Sequence, residues 1–213
     1  MHPHRLAALL TPALILAGCA RTGEIDATGG ISAVRSACPT VAVAAGTGDV
    51  TLFDPPTSRD QSAIDVSATI TNLRSTCNEA GEQIATTVTF DVLGRRTRTE
   101  GAREVVLPYY IAVVRGGSNV TVKRVSQVAL RFEAGQARAS TQAQATSYVS
   151  RAAATLPEDI RRQLTRRRRA GDQDAAVDPL TQPEVRQAVL AATFEALIGF
   201  QLTDEQLRYN ATR

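Results

Sequence analysis

The sequence predicts a mainly β chain with α at its C-terminal end: an antiparallel β-sandwich followed by two or three helices. Between residues 40 and 149 apolar side chains recur with period two, in runs broken by Gly- and Asp-containing turns. After Tyr148 the spacing turns helical, and the pattern Thr-x-Pro-Glu occurs at residues 155–158 and again at 181–184. A chain of 213 residues is long enough for one sizeable core, or one domain with an appendage.

Residues 6–19 read LAALLTPALILAGC after a polar start that carries Arg5. A basic end, an apolar core of about a dozen residues and small residues before a cleavage point make a secretory signal. A membrane-spanning helix needs about 20 apolar residues, and Pro12 interrupts a run already shorter than that. The ending Leu16-Ala17-Gly18-Cys19 resembles the lipobox of bacterial lipoproteins. The resemblance implies cleavage before Cys19, lipidation of its sulfur and acylation of the new amino end; the alternative is a plain secretory signal cut elsewhere. The expected organisation is a signal peptide over 1–18, lipidated Cys19 with a tether over 19–37, a sandwich over 38–150 and a helical segment over 151–213. The tether is rich in Gly, Thr and Ala with no clear period. In the sorting rule of Gram-negative lipoproteins an Asp after the lipid cysteine favours the inner membrane. Ala20 in that place implies anchoring to the outer membrane, facing the periplasm.

Val41-Ala42-Val43 and Val50-Thr51-Leu52-Phe53 are short strands separated by Gly46-Thr47-Gly48-Asp49. Ile64, Val66, Ala68 and Ile70 alternate with Asp65, Ser67, Thr69 and Thr71, the pattern of a half-buried strand. A turn at 77–81 leads to a second alternating run through Ile84, Val88, Phe90 and Val92, and the two runs form an antiparallel hairpin. Residues 104–115 (EVVLPYYIAVVR) are apolar on both faces, which suits a central strand, while Pro108 asks for a bulge or an edge. A turn at 116–119 opens the strand 120–133, and a turn at 133–136 opens the Ala-rich run 136–149, a strand in close packing or the beginning of a helix. Six or seven strands over about 110 residues describe a sandwich. In architecture it looks like an immunoglobulin- or fibronectin-type domain, without the core Trp of true immunoglobulin domains.

In each Thr-x-Pro-Glu the Thr is expected to cap a helix, the Glu to close the capping box and the Pro to occupy the first turn. Residues 203–206 begin a third short helix in the same way. The helix expected over 183–200 carries Val185, Val189, Leu190, Phe194, Leu197, Ile198 and Phe200, a surface too wide to leave in water. It docks on the sandwich, pairs with another helix or meets a partner.

The formal charge is +3, and removal of Arg5 with the leader lowers it by one, so net charge gives no argument for nucleic-acid binding. Both histidines, His2 and His4, lie in the leader. The remaining chain therefore lacks the base of Ser-His-Asp and Cys-His systems and the usual ligands of His-based metal sites. It has no Trp and few aromatics for stacking on sugars or bases. Export would leave Cys38 and Cys77 to each other as a disulfide closing a loop of about 40 residues; two buried free thiols are the alternative. No base accompanies either cysteine, so neither reads as a nucleophile.

The densest charge is at Arg161, Arg162, Arg166, Arg167, Arg168 and Arg169. Six guanidiniums there could bind an anionic surface, such as lipid head groups, lipopolysaccharide phosphates or an acidic protein face. They read equally as the solvated C-terminal end of a helix, where cations suit the dipole. Tyr109 and Tyr110 could line a groove, although on a strand one must point inward. Asp49, Asp54, Asp60 and Asp65 are too loosely spaced for a calcium loop. No catalytic set, metal site, cofactor or small-molecule substrate is identified. The expected role is non-enzymatic: a lipid-anchored envelope protein for binding, assembly or scaffolding. Its partners would be the membrane through Cys19 and an envelope protein or anionic lipid, with no nucleic acid. The alternatives are a subunit of a multi-protein envelope complex docking through the helix 183–200, and a hydrolase using carboxylates alone.

Overall fold

Eight strands and four short helices follow one another in a computed structural model that describes residues 36–166 and 177–212. The strands are β1 (Thr40–Val43), β2 (Asp49–Phe53), β3 (Ile64–Asn78), β4 (Gln83–Arg96), β5 (Arg103–Arg115), β6 (Asn119–Phe132), β7 (Arg138–Ser150) and β8 (Phe194–Phe200). The helices are α1 (Arg151–Ala154), α2 (Glu158–Thr165), α3 (Pro183–Ala191) and α4 (Asp204–Thr212). One sheet has the order β1-β8-β5-β6 and the other β2-β3-β4-β7. The expected β-sandwich with C-terminal helices is what the chain forms. All pairings are antiparallel except β1 with β8, which run parallel.

Alternation places the core. Val66, Ala68 and Ile70 of β3, and Val88, Phe90 and Val92 of β4, face Leu107, Tyr109 and Ile111 of β5 and Val128, Leu130 and Phe132 of β6. Gly94 of β4 is required by that packing, because a Cβ there would come 2.7 Å from Leu130 Cδ1 and 3.0 Å from Phe132 Cζ. The Ala-rich run is a strand, β7, and its small side chains let it close on the core from the edge of the second sheet.

The helix expected over 183–200 is divided. Its first half is α3; Phe194, Ala196, Ile198 and Phe200 then alternate into the core as β8, between β1 and β5. The apolar surface that seemed too wide for a helix is two elements, and its second half is covered within the chain. Pro108 causes no bulge. Its pairing with β6 is regular, and β8 ends at Phe200 opposite Tyr109, so the missing N–H faces the side where the neighbouring strand has finished. The Pro108 carbonyl accepts from Gln201 N on that same side.

Capping differs among the helices. Thr203 Oγ1 accepts from Gln206 N while Gln206 Oε1 accepts from Thr203 N, the box expected at the start of α4. Thr155 and Thr181 do not cap: their hydroxyls donate backwards to the carbonyls of Arg151 and Asp178. The residues before α2 and α3 are Pro157 and Gln182, and Pro183 fills the first turn of α3 as expected.

Arg96 is 2% exposed and closes the end of β4. Its guanidinium donates to the carbonyls of Gln136, Thr99, Gly101 and Glu133 at 2.8 to 3.1 Å and lies over the Phe132 ring. One side chain thereby ties the β4–β5 turn to the β6–β7 turn, a charged donor satisfied entirely by backbone oxygens.

Candidate functional site

Cys38 and Cys77 are bonded, joining the segment before β1 to the end of β3. Among the described residues the one cluster with metal-ligand chemistry is this pair with Glu79, and bonded sulfurs are not thiolate ligands. Cys19 and Arg167, Arg168 and Arg169 lie outside the described residues. Arg161 and Arg162 are exposed on α2, Arg166 follows it, and Arg161 is paired with Glu158 at 2.5 Å. Tyr109 points inward, its hydroxyl donating to the Gln144 carbonyl, while Tyr110 is half-buried with its hydroxyl 3.2 Å from Thr47 Oγ1. The scattered aspartates are held in protein contacts: Asp49 accepts from Thr69, and Asp54 and Asp65 form an ion cluster with Arg98 and Arg103.

That cluster bears on the hydrolase alternative. Asp65 is 5% exposed and bonded through both oxygens to Arg103, which holds its carboxyl below the ordinary value. Asp91 is held low by hydrogen bonds from Asn72 and Gln142. Both shifts favour the ionised form, the reverse of what a carboxylic acid needs to donate a proton near neutrality.

Two surfaces stand out once the strands are placed. The first is β6. From Asn119 to Gln127 it is exposed on both faces, and it lies at the end of its sheet, where among the described residues no strand pairs with its second backbone edge. Val120, Val122 and Val125 are 57%, 42% and 54% exposed, an apolar content unusual for an open edge. Lys123 lies over the Tyr110 ring and Arg124 over the Tyr148 ring, and among the described residues neither has a carboxylate partner. Sequence alternation found the strand but could not tell that its first half stays exposed on both faces.

The second surface is the outer face of β3, β4 and β7, where a shallow groove of about 700 Å³ runs over Ser67, Thr69, Thr71, Leu93, Arg95, Arg138 and Ser140. Arg95 and Arg138 are direct cross-strand neighbours there. The pairing joins strands 43 residues apart, so no turn fixes its register and no sequence spacing announces it. No family model, curated protein or solved structure matches the chain. Among the described residues no helix is long and apolar enough to cross a membrane.

Proposed function

We propose that the chain is a lipid-anchored envelope protein with a non-enzymatic binding and assembly role, and that β6 takes up an extended, acidic segment of an envelope partner. The observation that carries this is the stretch 119–127, open on both faces and along one backbone edge. An added strand would satisfy the edge by main-chain hydrogen bonds, cover the three valines and bring carboxylates to Lys123 and Arg124. All charged side chains of β6 are cations, and its third, Arg131, is already paired with Glu104. An antiparallel pair of two β6 edges centred on this stretch would set Lys123 against its own copy with both Arg124 side chains in the adjoining rows, which argues for a different chain as partner. The lipobox at residues 16–19 and the Cys38–Cys77 bond support export and anchoring.

Two measurements test the reading. Labelling of cells with a clickable fatty acid should mark the native chain and leave Cys19→Ser unmarked; label on neither removes the anchor. A photo-crosslinking residue at Val122 in the intact envelope should trap a partner of different mass, and the adduct should vanish in the Lys123→Glu/Arg124→Glu chain. A product of twice the chain's mass, or none at all, overturns the docking role.

A further inference from the structure

We propose that the outer face of β3, β4 and β7 is a binding site for a phosphomonoester group, gripped by Arg95 and Arg138 together. This stands independently of β6 and its partner. On the outer face Arg95 of β4 has Ser67 of β3 on one side and Arg138 of β7 on the other. Side chains directly opposite in an antiparallel pair have their Cβ atoms about 5 Å apart, and like charges so placed are destabilising. Among the described residues neither guanidinium has a carboxylate or a hydrogen-bond acceptor, and both are exposed. Other arginines at this end are engaged: Arg98 and Arg103 by Asp65, Arg131 by Glu104, and Arg96 by four carbonyls. Asp65, one outward position from Ser67, is already taken by Arg103 and Arg98. Asp91 is two outward positions from Arg95, about 13 Å along the strand, and is held by Asn72 and Gln142.

The repulsion is relieved by an anion between the forks. A carboxylate is planar and carries a single charge, so even with its about four lone-pair sites shared between both guanidiniums it would leave one of the two positive charges uncompensated. Thr69 gives its hydroxyl to Asp49 of β2, and two forks flanked by the hydroxyls of Ser67 and Ser140 remain along the groove. That donor set suits the three terminal oxygens and double charge of a phosphomonoester. Leu93, 49% exposed in the next row, gives an apolar flank for whatever the phosphate is attached to. Free phosphate and a phosphomonoester lipid head group share this chemistry.

The purified full chain would be titrated calorimetrically with inorganic phosphate, with dihexanoyl phosphatidic acid and with dihexanoyl phosphatidylcholine. Saturable binding of the first two is expected, weakened about tenfold or more in Arg95→Gln and in Arg138→Gln. Both variants should melt no lower than the native chain when unliganded, because each removes the cross-strand repulsion. Ser140→Ala keeps both arginines and should weaken binding by a smaller factor. Tighter binding of the phosphatidic acid assigns the lipid source, and equal binding assigns free phosphate. Absence of saturation with either probe overturns the proposal. So does binding unchanged in both arginine variants, or phosphatidylcholine binding as tightly as phosphatidic acid.

Discussion

Asp65 shows how one residue is decided by its surroundings. The period-two pattern puts it on the outer face of β3, yet it is 5% exposed because Arg103 and Arg98 close over it. Hydrogen bonds from Arg103 stabilise the carboxylate, outweigh the cost of burial and hold its folded pKa below the ordinary value. A depressed folded pKa contributes stability that is fully present above the unfolded pKa, about 3.9 for Asp, and is lost as pH falls through the folded one. The native chain is therefore expected to lose denaturant resistance on acidification below about pH 4. Asp65→Asn should be less stable at neutral pH, with Arg103 left facing an amide, and its stability should fall less over that acid range. Urea midpoints from pH 7 to pH 2 check this, and parallel curves for the two proteins would refute it.

At the scale of elements, the strands from β1 to β6 were legible because strands write their period into the sequence, while the Ala-rich β7 suited either a strand or the beginning of a helix. The stretch 183–200 was misread because α3 and β8 adjoin with only Ala192 and Thr193 between them, and seven large apolar residues in eighteen satisfy a helical face as readily as a strand. The signal available was local. Phe194, Ala196, Ile198 and Phe200 alternate, and Gly199 is a poor residue for a helix interior. The structure gives Gly199 its reason. A Cβ there would overlap Thr47 Oγ1 and lie 2.9 Å from Tyr110 Oη, where the β1–β2 turn crosses β8 and receives Phe200 N at the Thr47 carbonyl. Gly199→Ala should therefore cost about 1–3 kcal/mol by overpacking, read as a lower urea midpoint at unchanged slope. Faster amide exchange should be confined to β8 and the 44–48 turn. Native stability in that variant would show that the turn yields freely. Neither candidate surface was legible in the same way. Exposure of β6 and the Arg95–Arg138 register both depend on what lies across the sheet, which a single strand's pattern does not encode.

Across the whole molecule the two surfaces lie toward opposite ends of the sandwich. The register carries Thr40 of β1 through Glu195 of β8 and Val114 of β5 to Val120 of β6, so β1 begins level with the open part of β6, at the opposite edge of the sheet. The Cys38–Cys77 bond lies toward this end, with Ile84, Val113, Val149, Ala154 and Phe194 forming a smaller core against Cys38. The phosphate groove is at the other end of β4, where Arg95 pairs with Arg138; Cys77 pairs with Thr86 nine residues away along that strand. A strand rises about 3.3 Å per residue, so about 30 Å separates them. With a sequence separation of 39 between its cysteines, the bond should contribute about 4 kcal/mol in the chain-entropy model. Cys38→Ala/Cys77→Ala should thus lower global stability by an amount of that order. Exchange should quicken most where Cys38 and the small core meet, and phosphate affinity should be unchanged while the chain remains folded. Loss of phosphate binding in folded double-alanine protein would show instead that the ends are coupled along the sheet, through β3, which carries both Cys77 and Ser67, and β4 beside it.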